Sequence, residues 1–304
     1  MIIEEIPNDR PSVFCGDVTK IENEVLQLPV PEATVDFKFC ECPFNLEVYA
    51  DAGGEDYKND FNGFLFRKIV NTDTFTFTLL KDGNPVPLNP DISTGAYGLY
   101  NDFGTLPNPL YVQFEIEWLS VFTAFGHGSY KIQIDSNVVG VSETTFSNTF
   151  ILRQFSDVIV NKSVRITTLQ NGNIESNEFD YTGINFRDQL RLKGIFGDES
   201  PIIERDTILS SDRSILQIQD KIQTEYTLKT KLVNSFITDK LIRNFLLANQ
   251  ITVNDYYLFN HRIYRNLAVS VQGDIEVTHF GRNKNVLYQI KFTDEKDNTL
   301  KRNV

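Results

Sequence analysis

The sequence is poor in the residues that most often carry chemistry. It holds three histidines, three cysteines, one tryptophan and one methionine in 304 residues. His127, His261 and His279 fall in separate segments, with no pair at metal-ligand spacing. None has a neighbouring nucleophile or orienting partner, so no catalytic role is assigned to them. Cys15, Cys40 and Cys42 cannot all pair within one chain, and a chain this long needs no disulfide framework. Cys40-Glu41-Cys42 sets two thiols on one face of a strand. A structural zinc site needs four ligands, and Cys15 is the only other thiol. Semi-buried thiols in a reducing compartment are expected. Glycine-rich phosphate cradles are missing: neither G-x-x-x-x-G-K-[ST] nor G-x-G-x-x-G occurs. Apolar runs fall far short of a transmembrane helix. The start, Met1-Ile2-Ile3-Glu4-Glu5, lacks the basic region and apolar run of a signal peptide, so synthesis in the cytoplasm is expected.

Positive charge is also scarce. Lys and Arg number 29 against 41 Asp and Glu, a net charge of −12. Such a surface is repelled by phosphate backbones and by anionic membranes, so specific nucleic acid and membrane are excluded as expected partners.

Three stretches invite a chemical reading and fall short of it. Gly126-His127-Gly128-Ser129-Tyr130 lacks the G-x-S-x-G order of a nucleophile elbow and leads into a strand, so a glycine-rich turn is expected. Asp51, Glu55, Asp56, Asn59 and Asp60 offer hard oxygen ligands without EF-hand spacing, and read as a solvated loop. Asn161-Lys162-Ser163 fits the N-glycosylation pattern, a coincidence in a chain without a signal peptide. No catalytic, cofactor-binding or metal residue is assigned, and no cofactor is expected. Glycosidases need only two carboxylates, which keeps a glycosidase-like enzyme as an alternative.

What is abundant is aromatic and β-branched. There are 24 Phe and 12 Tyr, and 41% of the chain is hydrophobic, a composition suited to pleated, half-buried surfaces. At about 100–200 residues per domain, two domains are expected. Residues 1–30, broken by Pro7, Pro11, Pro29 and Pro31, read as an N-terminal arm. Residues 31–155 and 156–304 read as β-rich domains. Strands are expected at Thr34–Phe39, Leu46–Tyr49, Phe75–Leu79, Tyr111–Trp118, Tyr130–Ile134, Thr149–Leu152 and Val164–Thr167. Asp82-Gly83 supplies a tight turn, and Gln170-Asn171-Gly172-Asn173 a second. Residues 84–109, rich in Pro, Gly and Asn, read as a long surface excursion.

The most informative stretch is 216–232. Leu216, Ile218, Ile222, Tyr226, Leu228 and Leu232 share one parity, with polar residues on the other and Asp220 as the exception. A helix would spread these apolar residues round its circumference, so a long strand, bent or bulged near Asp220, is expected. One helix is expected near 238–249, capped by Thr238, with Leu241, Ile242, Phe245 and Leu246 as its stripe and Asn249 at its end. Strands resume at Ile251–Val253, Ile275–Val277 and Val286–Phe292, the last two pairing across 281–285. The charged tail, 294–302, is expected to be mobile. The fold class is therefore mainly β: two β-sandwich-like domains with one notable helix.

Several stretches carry a resemblance. They are Trp118 with Phe125-Gly126-His127-Gly128-Ser129-Tyr130, Ser211-Asp212-Arg213 leading to Gln217-Ile218-Gln219-Asp220, Asp255-Tyr256-Tyr257-Leu258-Phe259-Asn260, Tyr264-Arg265-Asn266-Leu267 and Tyr288 to Asp294. Together they resemble structural proteins of tailed bacteriophages that infect Bacteroidetes, the crAss-like group in particular. The resemblance spans roughly residues 30–304 and is one of texture and order rather than of a sharp motif. It implies a non-enzymatic virion component made in the host cytoplasm. The expected role is a neck or tail ring or adaptor that self-associates with rotational symmetry and contacts portal, neck or tail proteins. The alternative is a carbohydrate-binding or receptor-binding decoration module.

Overall fold

The computed structural model describes Phe14–Cys15 and the chain from residue 45 onward. Excepted are 69–71, 88–90, 103–109, 139, 173, 176–178, 182, 210–214, 235–239, 261, 280–284, 295–297 and 302–304. Cys40, Cys42, His261, Ser211–Arg213, most of the N-terminal arm and the strand expected at Thr34–Phe39 lie outside the described residues. The fold is mainly β, as its alternating patterns require.

The first domain packs a seven-stranded sheet on a three-stranded one. The larger sheet holds β1 (Phe14–Cys15), β2 (Asn45–Ala50), β4 (Thr74–Lys81), β5 (Asn84–Pro85), β8 (Gly128–Val138), β9 (Val141–Ser147) and β10 (Thr149–Gln154). The smaller is β3 (Phe61–Lys68), β7 (Leu110–Glu117) and β6 (Gly98–Asp102), in that order. On β4 the threonines Thr74 and Thr76 are exposed while Phe75, Phe77 and Leu79 are buried, the half-exposed pattern expected of it. Phe114 of β7 lies 4.4 Å from Phe64 and 4.3 Å from Phe77, centroid to centroid, joining the two sheets through aromatic rings. The β4–β5 turn is Asp82-Gly83, with φ of 49° and 84°, which is why the second position is glycine. The excursion expected over 84–109 is more ordered than its composition suggests. Ile92 and Tyr97 are buried, and Gly98–Asp102 pairs with β7.

β8 organises the larger sheet. β4 lies along one side of it, and β9 and β10 lie in line along the other. Phe146 faces Gln133 whereas Phe150 faces Tyr130, so the register steps by one residue at the β9–β10 join. β1 pairs antiparallel with β9 and β2 pairs parallel with β10, which puts β1 and β2 in one lane.

The second domain closes on itself. β11 (Ser163–Gln170) pairs with β14 (Phe186–Leu209), β14 with β15 (Ile215–Thr230), and β15 with β19 (Asn285–Asp294). β19 pairs with β18 (Leu267–His279), β18 with β17 (Gln250–Asp255), and β17 returns to β11. All six pairings are antiparallel, so these strands form a closed barrel whose edges are used up. Its interior takes Val164, Ile166, Leu190, Leu192, Tyr226, Leu228, Val253, Ile290 and Phe292, all buried. Between β11 and β14 the chain makes a small ribbon, β12 (Ile174–Glu175) with β13 (Phe179–Asp180). The turn expected at Gln170–Asn173 therefore leads into an insertion, and the β-strand partner of β11 arrives only at Phe186. β16 (Val233–Asn234) pairs antiparallel with the start of β19, and β20 (Asn298–Lys301) lies beside β15 at Gln219–Ile222. The tail expected to be mobile thus carries a strand.

Among the described residues helix is confined to short pieces. The segment expected near 238–249 is a π-helical turn over Lys240–Phe245, burying Leu241 and Phe245. The longest α-helix is α1 (Trp118–Phe125), where the strand expected through Trp118 stops at Glu117. Gly126, with φ of 75°, ends α1, and the 126–130 stretch is a helix-to-strand turn with His127 exposed. A single turn, α2 (Asp157–Val160), joins the domains.

Candidate functional site: an interdomain cleft and a projecting hairpin

The two domains meet through charge. Asp60, at the start of β3, is buried with its side chain fully covered. Its carboxylate accepts the Arg191 fork, Nη2 to Oδ1 at 2.6 Å and Nε to Oδ2 at 3.1 Å, and the Tyr49 backbone N–H at 2.9 Å. Arg165 reaches the same carboxylate at 3.4 Å and donates to the carbonyls of Asp56 and Asn59 at 3.2 and 2.9 Å. Both arginines come from the barrel, on β14 and β11, so one carboxylate of the first domain anchors two cations of the second. Burial pulls the Arg191 guanidinium down, but the charge and hydrogen bonds of Asp60 and Tyr256 together outweigh it and hold the group above its ordinary value. Arg191 also stacks on Tyr49 and Tyr256, at 5.1 and 4.3 Å. Tyr256 donates its hydroxyl to the Tyr57 carbonyl and lies 4.8 Å from the Arg265 guanidinium.

This arrangement revises the loop at 51–60. Asp51 pairs with Lys58 at 3.4 Å, the Asn59 side chain accepts the Asp51 N–H, and Asp60 turns inward to the arginines. The loop is tied down by these contacts at Asp51, Asn59 and Asp60, while Glu55 and Asp56 are exposed to solvent as expected. Among the described residues no group of three or more His, Cys, Asp or Glu stands close enough to hold a metal. Likewise among them, no helix is long and apolar enough to cross a membrane.

A second seam runs between β3 and β14. Asn62 Nδ2 donates to the Gln189 carbonyl at 3.0 Å, Gly63 N donates to Asp188 Oδ1 at 3.1 Å, and Arg187 holds Glu115 at 2.5 and 3.2 Å. The strands approach so closely that a Cβ on Gly63 would sit 1.9 Å from the Arg187 carbonyl oxygen. Trp118 is buried and donates its indole N–H to Asn62 at 2.9 Å, tying α1 to the same seam.

Beside the Asp60 anchor opens a cleft of about 460 Å³. Glu47, Ile151 and Arg153 line it from the first domain, and Ile159, Lys193 and Leu232 from the linker and barrel. Arg153 and Lys193 approach Glu47 at 3.6 and 3.5 Å, and Tyr49 donates its hydroxyl to it at 2.9 Å. Burial, then the Glu47 hydrogen bond and charge, push the Tyr49 phenol well up, so it stays a donor. Sequence reasoning missed this cleft, because its residues are scattered from 47 to 232.

The other feature is the β14–β15 hairpin. β14 leaves β11 after Lys193, and β15 leaves β19 beyond Glu225. From Pro201 to Leu209 the two strands continue as a ribbon that, among the described residues, is flanked only by β20. Eight steps at about 3.3 Å make this roughly 26 Å of projecting hairpin. The parity expected for 216–232 is seen from 226 to 229, where Tyr226 and Leu228 are buried and Lys229 is exposed, whereas Ile222 to Glu225 are all half-buried. Leu232 lies past the strand end and is 57% exposed. The bulge expected near Asp220 falls at Ile218, where Asp206 faces Gln219 and Thr207 faces Gln217. Near the domain linker, Val158, Leu258, Phe259 and Ile263 are exposed, and Asn161 accepts the Leu258 N–H at 3.2 Å.

The chain matches no protein-family model, and no curated protein shows significant similarity to it.

Proposed function

We propose that the chain is a non-enzymatic structural subunit that self-associates into a ring or adaptor of a phage neck or tail. The observation that carries this reading is the β14–β15 hairpin. A two-stranded ribbon in water is marginally stable on its own, so about 26 Å of it beyond the barrel calls for a neighbouring surface. A hairpin of one subunit laid on a different patch of the next is a heterologous contact, which closes into a ring when the rotation permits. The exposed apolar residues Ile203, Val158, Phe259 and Ile263 supply further surface for such contacts.

Two features count against the alternatives. A sugar-binding platform is best served by exposed tryptophan, and the one tryptophan here is buried beneath the sheet seam. Among the described residues Glu47 is the one carboxylate lining the cleft, where a glycosidase needs two.

The test is native mass spectrometry and negative-stain microscopy of the purified chain, alone and with candidate portal and tail proteins. Closed rings or incorporation into particles are expected. A strict monomer that joins no particle overturns the reading.

A further inference from the structure

The loop that follows β17 is a fixed, exposed knuckle. The Asp255 carboxylate accepts the Tyr257 N–H at 3.0 Å and the Asn260 amide, and the Asp255 N–H donates to the Tyr264 carbonyl at 3.0 Å. Asn260 N donates to the Tyr257 carbonyl at 3.2 Å, and the Asn161 side chain accepts the Leu258 N–H at 3.2 Å. The turn so held presents Phe259, 77% exposed, with Leu258 and Ile263 also exposed. The Tyr257 ring braces Phe259 edge-on at 5.9 Å. A large aromatic held rigidly loses little freedom when a partner covers it, which is the character of an interface anchor.

The knuckle sits at the root of the β14–β15 hairpin. Asn260 Nδ2 donates to the Phe196 carbonyl at 2.7 Å, and Arg262 approaches Glu199 at 3.9 Å. The bulge between Gly197 and Ser200 comes next, and 201–209 then projects about 26 Å. At its end Ile208 faces Leu216 and Leu209 faces Ile215. Residues opposite each other share a face and successive pairs alternate, so each face of the hairpin end carries one aliphatic pair. Pairs this far out lie beyond the barrel core and out of reach of the knuckle at the hairpin's own root. The chain thus carries two apolar patches that it cannot bring together by itself but that a second copy can. We infer that the Phe259 knuckle of one subunit is the docking site for the hairpin end, 207–209 with 215–217, of the next. Donor and acceptor are different patches of one chain, so the contact is head-to-tail. This deepens the ring reading above and rests on it.

The test is site-specific photocross-linking of the full-length protein. Unlabelled chains carrying p-benzoylphenylalanine in place of Phe259 are mixed with an equal amount of ¹⁵N-labelled parent chains, assembled, irradiated and digested with trypsin. Cleavage after Arg205, Arg213 and Lys221 gives the hairpin end as peptides 206–213 and 214–221. Products joining position 259 to one of these peptides are expected, with the light and ¹⁵N forms of the peptide in equal amounts. Assemblies in which position 259 joins any other peptide or none, residues 1–44 included, would overturn the inference and leave the ring reading standing. A hairpin peptide joined in light form alone would do the same, by placing the hairpin end on its own knuckle. Absence of any assembly in native mass spectrometry would overturn both. In a second arm, Phe259→Ser should raise the protein concentration needed for half-assembly at least about ten-fold, the loss expected of one aromatic anchor. An unchanged midpoint would overturn the inference.

Discussion

At the scale of single residues, the molecule depends on one buried carboxylate with two cations. Removing Asp60 leaves Arg165 and Arg191 buried without their counter-charge, and breaking such a set from one side costs about 3–5 kcal/mol. We expect Asp60→Ala to lose that much in urea unfolding. Adding Arg191→Ala should cost less than the sum of the two single changes, because the second change removes the charge that the first orphaned. Asp255 gives a prediction of opposite sign. Burial raises its carboxyl above the ordinary range, against the Tyr257 N–H, the Asn260 amide and Arg265, which pull it down. Between the unfolded and the raised folded value, the folded state binds more protons, so this group's contribution to stability falls as pH rises through that window. Asp255→Asn removes the titration. Its stability relative to the parent protein should therefore improve from pH 4 to pH 7 in paired unfolding curves, and a flat difference would contradict the assignment.

Elements were legible in the sequence where one face is buried and the other is not. The parity of Phe75, Phe77 and Leu79, or of Tyr226 and Leu228, follows from the period of the strand and needs no tertiary information. α1 was not legible, because Trp118 is set by the Asn62 side chain, 56 residues earlier in the chain. The same holds for Gly63, whose reason is the Arg187 carbonyl. Gly63→Ala should destabilise by about 1–3 kcal/mol or more, since backbone rather than a flexible side chain must yield. The hairpin can be tested as an element. Replacing residues 204–221 by Asn-Gly joins Ile203 to Ile222, which already face each other across the ladder. The shortened chain should melt within a few degrees of the parent, because the barrel core lies below the cut. It should lose self-association in native mass spectrometry, and retained rings would show that the hairpin is not the contact.

For the whole molecule, closure of the barrel is what sequence reading could not supply. It rests on β15 meeting β19, a pairing some 60–70 residues apart in the chain, and local patterns make no statement about it. The cleft shares that fate, since Glu47, Arg153 and Lys193 become neighbours only once both domains have folded and docked. The docking itself is polar and deeply covered, and the apolar core runs from one domain into the other. Two bodies joined in this way should unfold together. A single urea transition, coincident by far-ultraviolet and near-ultraviolet circular dichroism, is the expected outcome, and two resolved transitions would mean that the seam is weaker than its contacts imply. Assembly adds a condition on charge. Subunits of net charge −12 repel one another as they are brought into a ring, and the repulsion is screened over about 10 Å at 0.1 M salt. If the hairpin contact is mainly apolar, added salt removes the repulsion and leaves the attraction. Ring formation should therefore strengthen between about 0.02 and 0.3 M sodium chloride when followed by light scattering. Weakening over the same range would mean that opposite charges across the interface, rather than its apolar side chains, hold the subunits together.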